Sequence, residues 1–164
     1  MRVWVDADAC PYPIKQILFR LADRLGVEVA LVANQPLSVP RSPYVRTIQA
    51  PPGFDEADNK IIEFAEADDL VITADIPLAA AVVEKGAFAL DPRGELFSDE
   101  NISERLAVRN LLNNIRGTGV DLGGPPPFDN RDIQRFANGL DRFVSRHHRR
   151  EGPSRDSGTP PLDS

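Results

Sequence analysis

Residues 3–13 have the sequence VWVDADACPYP, in which an apolar run ends at an aspartate and two prolines follow. A short apolar run of this kind is typical of a buried strand. After the prolines, Ile14, Leu18, Leu21 and Leu25 recur at the spacing that places side chains on one face of a helix. The stretch therefore predicts a strand, a loop and a helix, in that order.

The same order of strand and helix continues to about residue 90. Strands are predicted at 27–32, 45–49, 70–73 and 87–90, and helices near 55–66 and at 76–85. Alternating strands and helices favour a mostly parallel central sheet with helices on both faces, and ligands of such folds bind beyond the carboxyl ends of the strands. We therefore predict a three-layer α/β fold with its functional site at that edge.

The remainder of the chain is predicted to add two helices. One is expected over 102–115 and the last from about residue 129, with a loop rich in glycine and proline at 117–128 between them. Residues 150–164 lack apolar periodicity and contain several prolines, so we expect a disordered tail there. Residues 1–149 are expected to form a single domain.

The composition excludes several classes of protein. The 164 residues include 19 Lys and Arg against 25 Asp and Glu, a formal charge of −6, and 41% of them are hydrophobic, which is ordinary for a globular domain. The single cysteine, Cys10, cannot form an internal disulfide, and no Cys and His spacing matches a zinc site. No apolar run approaches the ~18 residues of a membrane span, and Asp6 interrupts any signal-peptide core. We therefore expect a cytoplasmic protein that does not contact membranes.

Aspartates follow the predicted strands and begin a predicted helix. If strand geometry continues, Asp6 and Asp8 project from the same face, Asp75 ends another strand, and Asp55 and Asp58 share the first turn of a helix. These carboxylates would crowd at one edge of the sheet and repel one another unless a divalent cation neutralised them. Mg²⁺ or Mn²⁺ is the natural candidate, and such a site supports metal-assisted phosphodiester hydrolysis.

Simpler roles explain some of these aspartates. Asp75 and Asp55 are each placed to cap a helix, and Asp58 is favoured by the dipole of its helix without any metal. Capping does not explain Asp6, because Pro11 and Pro13 still separate it from the next helix. Asp6 is therefore the strongest candidate for a functional role.

Several blocks of sequence, taken together and in this order, resemble one family. They are VDADACP at 5–11, GFDEADNKI at 53–61, LVITADIPLA at 70–79, PRGE at 92–95, GGP at 123–125 and FANGLDRF at 136–143. The chain is similar to the YaiI/YqxD family of bacterial proteins over about residues 2–149. That family resembles PIN-like domains, which have a Rossmann-like arrangement and hold Mg²⁺ or Mn²⁺ on strand-end carboxylates for RNA cleavage.

The resemblance implies roles for particular aspartates. Asp6 and Asp75 match the strand-end acids, and Asp58 stands where many such nucleases carry an acid on a helix. Asp8 and Asp55 would be auxiliary ligands or orienting groups. The implied activity is a metal-dependent nuclease, most simply a ribonuclease, with Mg²⁺ or Mn²⁺ as cofactor. Thr73 and Asn59 could orient a ligand in the same crevice, but each is explained as well by a local backbone hydrogen bond.

RNA binding by an acidic protein requires local positive charge, because phosphate contacts dominate the affinity. At about 100° per residue, the last helix places a stripe of arginines within roughly 60° of arc, opposite its apolar face. The stripe comprises Arg131, Arg135, Arg142, Arg146 and Arg149. Arg93, in a turn that follows a strand, could also reach a phosphate, and the predicted substrate-binding set is Arg93, Arg135, Arg142 and Arg146. A solvated helix surface explains the stripe equally well.

Two other functions remain open. The pair formed by Asp6 and Asp8 is also found in haloacid-dehalogenase-like phosphatases, but those enzymes have Thr or Val where this chain has Cys10, and they carry a late Gly-Asp pair that is missing here. The third possibility is a module that binds a nucleic acid, a nucleotide or a protein without catalysis. Cys10, His147 and His148 are interpreted as non-catalytic, the two histidines as part of a basic surface cluster.

Overall fold

The structure is a computed structural model that describes residues 1–53, 55–124 and 126–151. Within these residues the chain forms six strands and five α-helices. In chain order they are β1 (Arg2–Asp6), α1 (Tyr12–Leu25), β2 (Glu28–Ala33), β3 (Val45–Gln49), α2 (Glu56–Phe64), β4 (Leu70–Ile72), α3 (Ile76–Glu84), β5 (Phe88–Leu90), β6 (Leu96–Phe97), α4 (Ile102–Arg116) and α5 (Asn130–Glu151).

The strands form one sheet in the order β3-β2-β1-β4-β5-β6. Its first five strands are parallel, and β6 pairs antiparallel with β5. The central strand β1 has neighbours on both sides, so Val5 lies opposite Leu31 of β2 and Ile72 of β4. The chain builds the sheet outward from β1 in one direction and then in the other, so the strand order reverses between β1 and β4. Ligands of such folds bind where the order reverses.

The two faces of the sheet carry separate hydrophobic cores. On one face, α1 and α5 bury Leu18, Phe136 and Leu140 against the strands. On the other face, α2, α3 and α4 pack against the sheet around Trp4 and Phe97, both fully buried. The predicted three-layer α/β fold is confirmed, and it is consistent with the PIN-like resemblance.

Most predicted elements match the structure to within a few residues, but the two-residue strand β6 was not predicted. It has too few residues to show a periodic pattern, and it depends on its pairing with β5 and on the burial of Phe97. Strand β1 ends at Asp6, where the apolar run ends in the sequence, and residues Ala7–Ala9 then form a turn of 3-10 helix.

The amino edge of the sheet is held by a buried carboxylate. Asp69, which is 1% exposed, accepts hydrogen bonds from the backbone N–H groups of Arg2 and Glu66 and from the indole N–H of Trp4, each at 3.0 Å. A buried carboxylate is tolerated only when such donors satisfy it. Asp69 therefore joins the start of β1 to the loop between α2 and β4.

Helix α5 is held close to the turn between β5 and β6 by two glycines. A Cβ atom on Gly94 would lie 2.7 Å from the backbone C and O of Arg135, and one on Gly139 would lie 3.1 Å from the carbonyl oxygen of Gly94. At the other end of β5, the ring of Phe88 contacts that of Phe143, with centroids 5.2 Å apart. Helix α5 thus runs antiparallel to β5, with its N-terminal end at the carboxyl edge of the sheet.

The end of the predicted domain differs from the structure in one respect. Helix α5 continues to Glu151, beyond the predicted boundary at 149, and residues 152–164 of the predicted disordered tail lie outside the described residues. No helix within the described ranges is long and apolar enough to span a membrane.

Replacing Gly94 by Ala is expected to lower the free energy of unfolding by about 3–5 kcal/mol. The new methyl group would overlap the backbone of Arg135, and the φ of 99° at this position is strained for alanine. Urea unfolding followed by circular dichroism measures the loss.

Gly119→Ala is the matched control, because Gly119 has a similar φ of 89° and a Cβ atom there would meet nothing within 4 Å. The free energy of unfolding of this variant should fall only by the cost of holding alanine in this backbone conformation, about 1–2 kcal/mol. Equal losses in the two variants would show that the close approach to α5 contributes nothing.

Candidate active site at the carboxyl edge

The carboxyl ends of β1 and β4 are joined by the side chain of Thr73. This residue is 1% exposed, and its hydroxyl donates to Oδ2 of Asp6 at 3.0 Å while its Oγ1 accepts from the backbone N–H of Asp75, also at 3.0 Å. Asp6 and Asp75 are therefore fixed relative to each other through one buried hydroxyl. Sequence reasoning left Thr73 out of the site because a local hydrogen bond explained it equally well. Its partner Asp6 is distant in sequence, so no local pattern could reveal the contact.

Asp75 caps α3, as its sequence position predicts. Its Oδ1 accepts from the backbone N–H of Leu78 at 3.1 Å, and Pro77 occupies the first turn. The capping role and a role in the site are compatible, because a carboxylate has two oxygens and this one lies at the edge of the sheet. The half-buried carboxylate is thereby held in one orientation.

Asp58 lies in the first turn of α2 and completes a group that we call the acidic cluster, defined as Asp6, Asp58 and Asp75. The pKa of Asp58 is raised to about 7. Burial is the largest cause, followed by the negative charges of Asp6 and Asp75, a hydrogen bond with the Asp75 carboxyl and the charge of Asp55. The cluster therefore retains a proton on Asp58 over part of the population near neutral pH.

The pKa of Asp6 is also raised. Burial is the main cause, the hydrogen bond from Thr73 opposes it, and the charges of Asp75 and Asp8 add smaller increases. The negative charge of Asp75, which follows the neighbouring strand β4, therefore acts on Asp6 at the end of β1. Electrostatic repulsion within the acidic cluster is a direct result of the parallel arrangement of β1 and β4.

The two auxiliary aspartates lie at the periphery. The condition for placing Asp8 on the face of Asp6 by strand alternation is not met, because β1 ends at Asp6 and a 3-10 turn follows. The charge of Asp8 nevertheless contributes to the raised pKa of Asp6. Asp8 is exposed, and its Oδ2 accepts from the backbone N–H of Asn34 at 2.9 Å, just after β2. Asp55 is exposed with a φ of 65°, and it precedes α2 without capping it through its side chain.

The acidic cluster offers the oxygen ligands that Mg²⁺ and Mn²⁺ prefer, so its donor chemistry fits these ions. Among the described residues, however, no group of three His, Cys, Asp or Glu side chains is arranged to hold a metal ion. Two of the carboxylates are also engaged, Asp6 with Thr73 and Asp75 with the N-terminus of α3. Binding of a cation would therefore require the side chains of the cluster to move together and release the proton on Asp58.

Arg93 is engaged in contacts within the protein. Its guanidinium donates to Oδ2 of Asp132 at 3.1 Å and to the carbonyl oxygen of Pro126 at 2.7 Å, and it lies 5.7 Å from the ring centroid of Phe128. These contacts fix the segment that leads into α5. The role of Arg93 in substrate binding remains a prediction.

The predicted arginine stripe is exposed on α5, but only its N-terminal part lies near the carboxyl edge of the sheet. Arg131, Arg135, Arg142 and Arg146 are all exposed, and Arg135 lies 3.5 Å from Asp132. Because α5 runs antiparallel to β5, Arg146 lies about 16 Å farther toward the amino edge than Arg135, at 1.5 Å per residue. The structure therefore does not bring Arg142 and Arg146 to the acidic cluster, and the side chain of Arg149 lies outside the described part.

The side chains interpreted as non-catalytic have structural surroundings. Burial raises the pKa of Cys10 to about 12, so its thiol is protonated at neutral pH. His147 differs from the expected surface cluster, because its ring stacks on Phe143 with centroids 4.2 Å apart and lies 4.6 Å from that of Phe88.

Comparison with known proteins assigns the chain to a family. Residues 4–146 match the family described as an uncharacterised bacterial group, YaiI/YqxD. The chain belongs to the YaiI/YqxD family. A UPF0178 protein of Burkholderia vietnamiensis is 58% identical over 147 residues, which cover 90% of this chain and 98% of that protein. UPF0178 proteins of Burkholderia ambifaria and Burkholderia cenocepacia are 60% and 59% identical with the same coverage.

The YaiI/YqxD assignment confirms the family resemblance seen in the sequence blocks. No solved structure matches the chain at a significant level. The names of these relatives state no activity, so the acidic cluster itself is the basis for inferring the chemistry of the site.

The raised pKa of Asp58 predicts a pH-dependent stability in EDTA. The folded state holds this proton more tightly than the unfolded state, whose pKa is near 3.8, so the stabilisation is complete below that pH and is lost as the pH rises through about 7. Asp58→Asn should therefore flatten the fall in the free energy of unfolding over this range. Urea unfolding at a series of pH values measures it.

Asp68→Asn is the control for this experiment, because Asp68 is exposed at the opposite edge of the sheet, and asparagine tolerates its φ of 70°. Its pH dependence should match that of the wild type. If Asp58→Asn also retained the wild-type slope, the proton on Asp58 would not be the cause of the pH dependence.

Proposed function

We propose that this member of the YaiI/YqxD family is a divalent-metal-dependent nuclease, most simply a ribonuclease, that hydrolyses phosphodiester bonds at the acidic cluster. The observation that carries the proposal is the convergence of three carboxyls, from β1, α2 and the N-terminus of α3, on one half-buried site. Groups with perturbed pKa values concentrate at functional sites. The PIN-like resemblance independently implies that these same aspartates bind Mg²⁺ or Mn²⁺.

Each residue of the site has a distinct part in this proposal. Thr73 holds the Asp6 carboxylate in place, and the contact of Asp75 with the N-terminus of α3 fixes the second carboxylate. Asp58 gives up its proton when positive charge enters the cluster, because its pKa is raised mainly by burial and by negative neighbours. A bound Mg²⁺ or Mn²⁺ supplies a water of lowered pKa and stabilises the charge on the leaving oxygen.

The proposed partner is RNA, and the proposed location is the cytoplasm. An RNA strand must approach a protein with a formal charge of −6, so phosphate contacts by arginine are required. Arg131 and Arg135 are the members of the stripe nearest to the carboxyl edge. Arg142 and Arg146 could be reached only by a strand that follows α5 toward the amino edge.

The test is to titrate Mn²⁺ by calorimetry into the wild type and into the double variant Asp6→Asn/Asp75→Asn, and to assay both for cleavage of end-labelled single-stranded RNA. The double variant lacks two of the three carboxylates of the acidic cluster and two negative charges, so we expect metal binding to disappear. Cleavage should fall by at least about 100-fold, because the metal supplies the nucleophile and the leaving-group stabilisation.

Asp68→Asn, which removes one carboxylate outside the cluster, is again the control and should bind Mn²⁺ and cleave RNA like the wild type. Metal binding that persists in the double variant would place the ion elsewhere and contradict the proposal. Metal binding by the wild type without cleavage would favour a non-catalytic binding module. A phosphorylated Asp6 trapped during turnover would favour the phosphatase chemistry instead.

A further inference from the structure

Apart from the acidic cluster, a concave site lies between α4 and the edge of the sheet. It is a cleft of about 270 Å³, lined by the exposed face of α4, by the turn between β5 and β6 and by Ile76 at the start of α3. This volume is close to the lower end of the roughly 300–1,000 Å³ of small-molecule sites. We call it the α4 cleft. Its size suits one ligand the size of a nucleotide.

The charges that line the α4 cleft favour an anion. Arg105 is paired with Glu95 across the cleft, whereas Arg109 and Arg116, which line the same cleft, form no ion pair among the described residues. Among the described residues, the only hydrogen bond of the Arg109 guanidinium goes to the side-chain oxygen of Asn110, at 3.2 Å. Guanidinium groups bind phosphate oxygens with charge-assisted hydrogen bonds, so this pair is suited to a phosphate.

The walls of the α4 cleft favour a planar, partly apolar group beside that anion. Val108 and Leu112 line it and are 42% and 37% exposed, respectively, so each leaves apolar surface in water. Asn113 adds an amide that can both donate and accept hydrogen bonds, and Asp91 adds a carboxyl group. A nucleobase has this combination of apolar faces and polar edges, and an isolated phosphate does not.

The α4 cleft also lies next to the acidic cluster. Ile76, one of its walls, directly follows Asp75, and Asp91 follows β5, the strand beside β4, at the same edge of the sheet. Adjacent strands are about 4.8 Å apart. A strand of nucleic acid whose phosphodiester lay at the acidic cluster would therefore reach the α4 cleft with a neighbouring nucleotide.

We propose that the α4 cleft binds one nucleotide of a single-stranded RNA substrate, with the phosphate on Arg109 and Arg116 and the base against Val108 and Leu112. This inference rests on the proposed ribonuclease function for the identity of the ligand, but binding can be measured without catalysis. The cleft then positions the strand beside the acidic cluster and adds affinity that the negatively charged cluster does not supply.

The test is fluorescence anisotropy with a labelled single-stranded RNA octamer in EDTA, so that no metal contributes. In the double variant Arg109→Ala/Arg116→Ala we expect affinity to fall by at least about tenfold. The slope of log affinity against log salt concentration should fall by about 0.7, since the two arginines contact one phosphate and each phosphate contact on a single strand contributes about 0.7. The double variant Arg20→Ala/Arg41→Ala, which removes two exposed arginines outside the cleft, should retain wild-type affinity.

Three further measurements separate the alternatives. Leu112→Ala should weaken binding of the octamer, and a nucleoside monophosphate should compete for the cleft better than inorganic phosphate does. Wild-type affinity in the Arg109→Ala/Arg116→Ala variant would overturn the proposal. Equal competition by inorganic phosphate would overturn the base contact, and a mononucleotide that bound as tightly as the octamer would overturn the assignment to RNA.

The double variant Asp6→Asn/Asp75→Asn distinguishes this proposal from the proposed function. It should bind the octamer in EDTA at least as well as the wild type, because it lacks two negative charges, while losing cleavage. If no RNA were cleaved by any variant but the Arg109→Ala/Arg116→Ala loss of binding remained, the α4 cleft would stand and the nuclease would not. If the wild type cleaved RNA but the Arg109→Ala/Arg116→Ala variant kept wild-type affinity, the nuclease proposal would stand and the α4 cleft proposal would not.

Discussion

The carboxylate of Asp69 holds together the amino edge of the sheet, and the geometry of the opposite edge depends on it. By accepting hydrogen bonds from Arg2, Trp4 and Glu66, it fixes the start of β1 against the loop that leads into β4. Because β1 and β4 are parallel and in register from there, their carboxyl ends lie side by side. Asp6 and Asp75 can then share the hydroxyl of Thr73. An interaction buried at one edge thus supports the arrangement of charges at the other, about 13 Å of strand away at roughly 3.3 Å per residue.

The fold was largely predictable because each unit carries its own local signals. Gly26 ends α1 with a φ of 66°, and Asp75 followed by proline begins α3, both as their positions predict. Local signals could not predict β6 or the roles of Asp69 and Thr73, since these depend on partners distant in sequence. They also could not show whether strand geometry continues past Asp6, and the 3-10 turn at Ala7–Ala9 removes the alternation that would have placed Asp8 on the face of Asp6.

The candidate site was predictable in part. The aspartates of the acidic cluster follow strands or begin helices, so topology alone brings them to one edge. The α4 cleft was not predicted, because its arginines share a helix with exposed leucines. They line a cleft only because the turn between β5 and β6 lies opposite them, and the sequence does not show that contact. Similarly, the stripe on α5 is a real feature of the helix surface, but its direction depends on how Gly94 and Gly139 seat α5 against the sheet.

The central position of β1 affects how the chain folds during its synthesis. This strand leaves the ribosome before the other five strands, yet one of its edges pairs with β2 and the other must wait for β4. An apolar strand with an unpaired edge is a template for association with other chains, and such exposure grows with the sequence separation of the partners. The second edge of β1 therefore stays exposed until Leu70–Ile72 have emerged, and the pairing that covers it is the same event that brings Asp6 and Asp75 together.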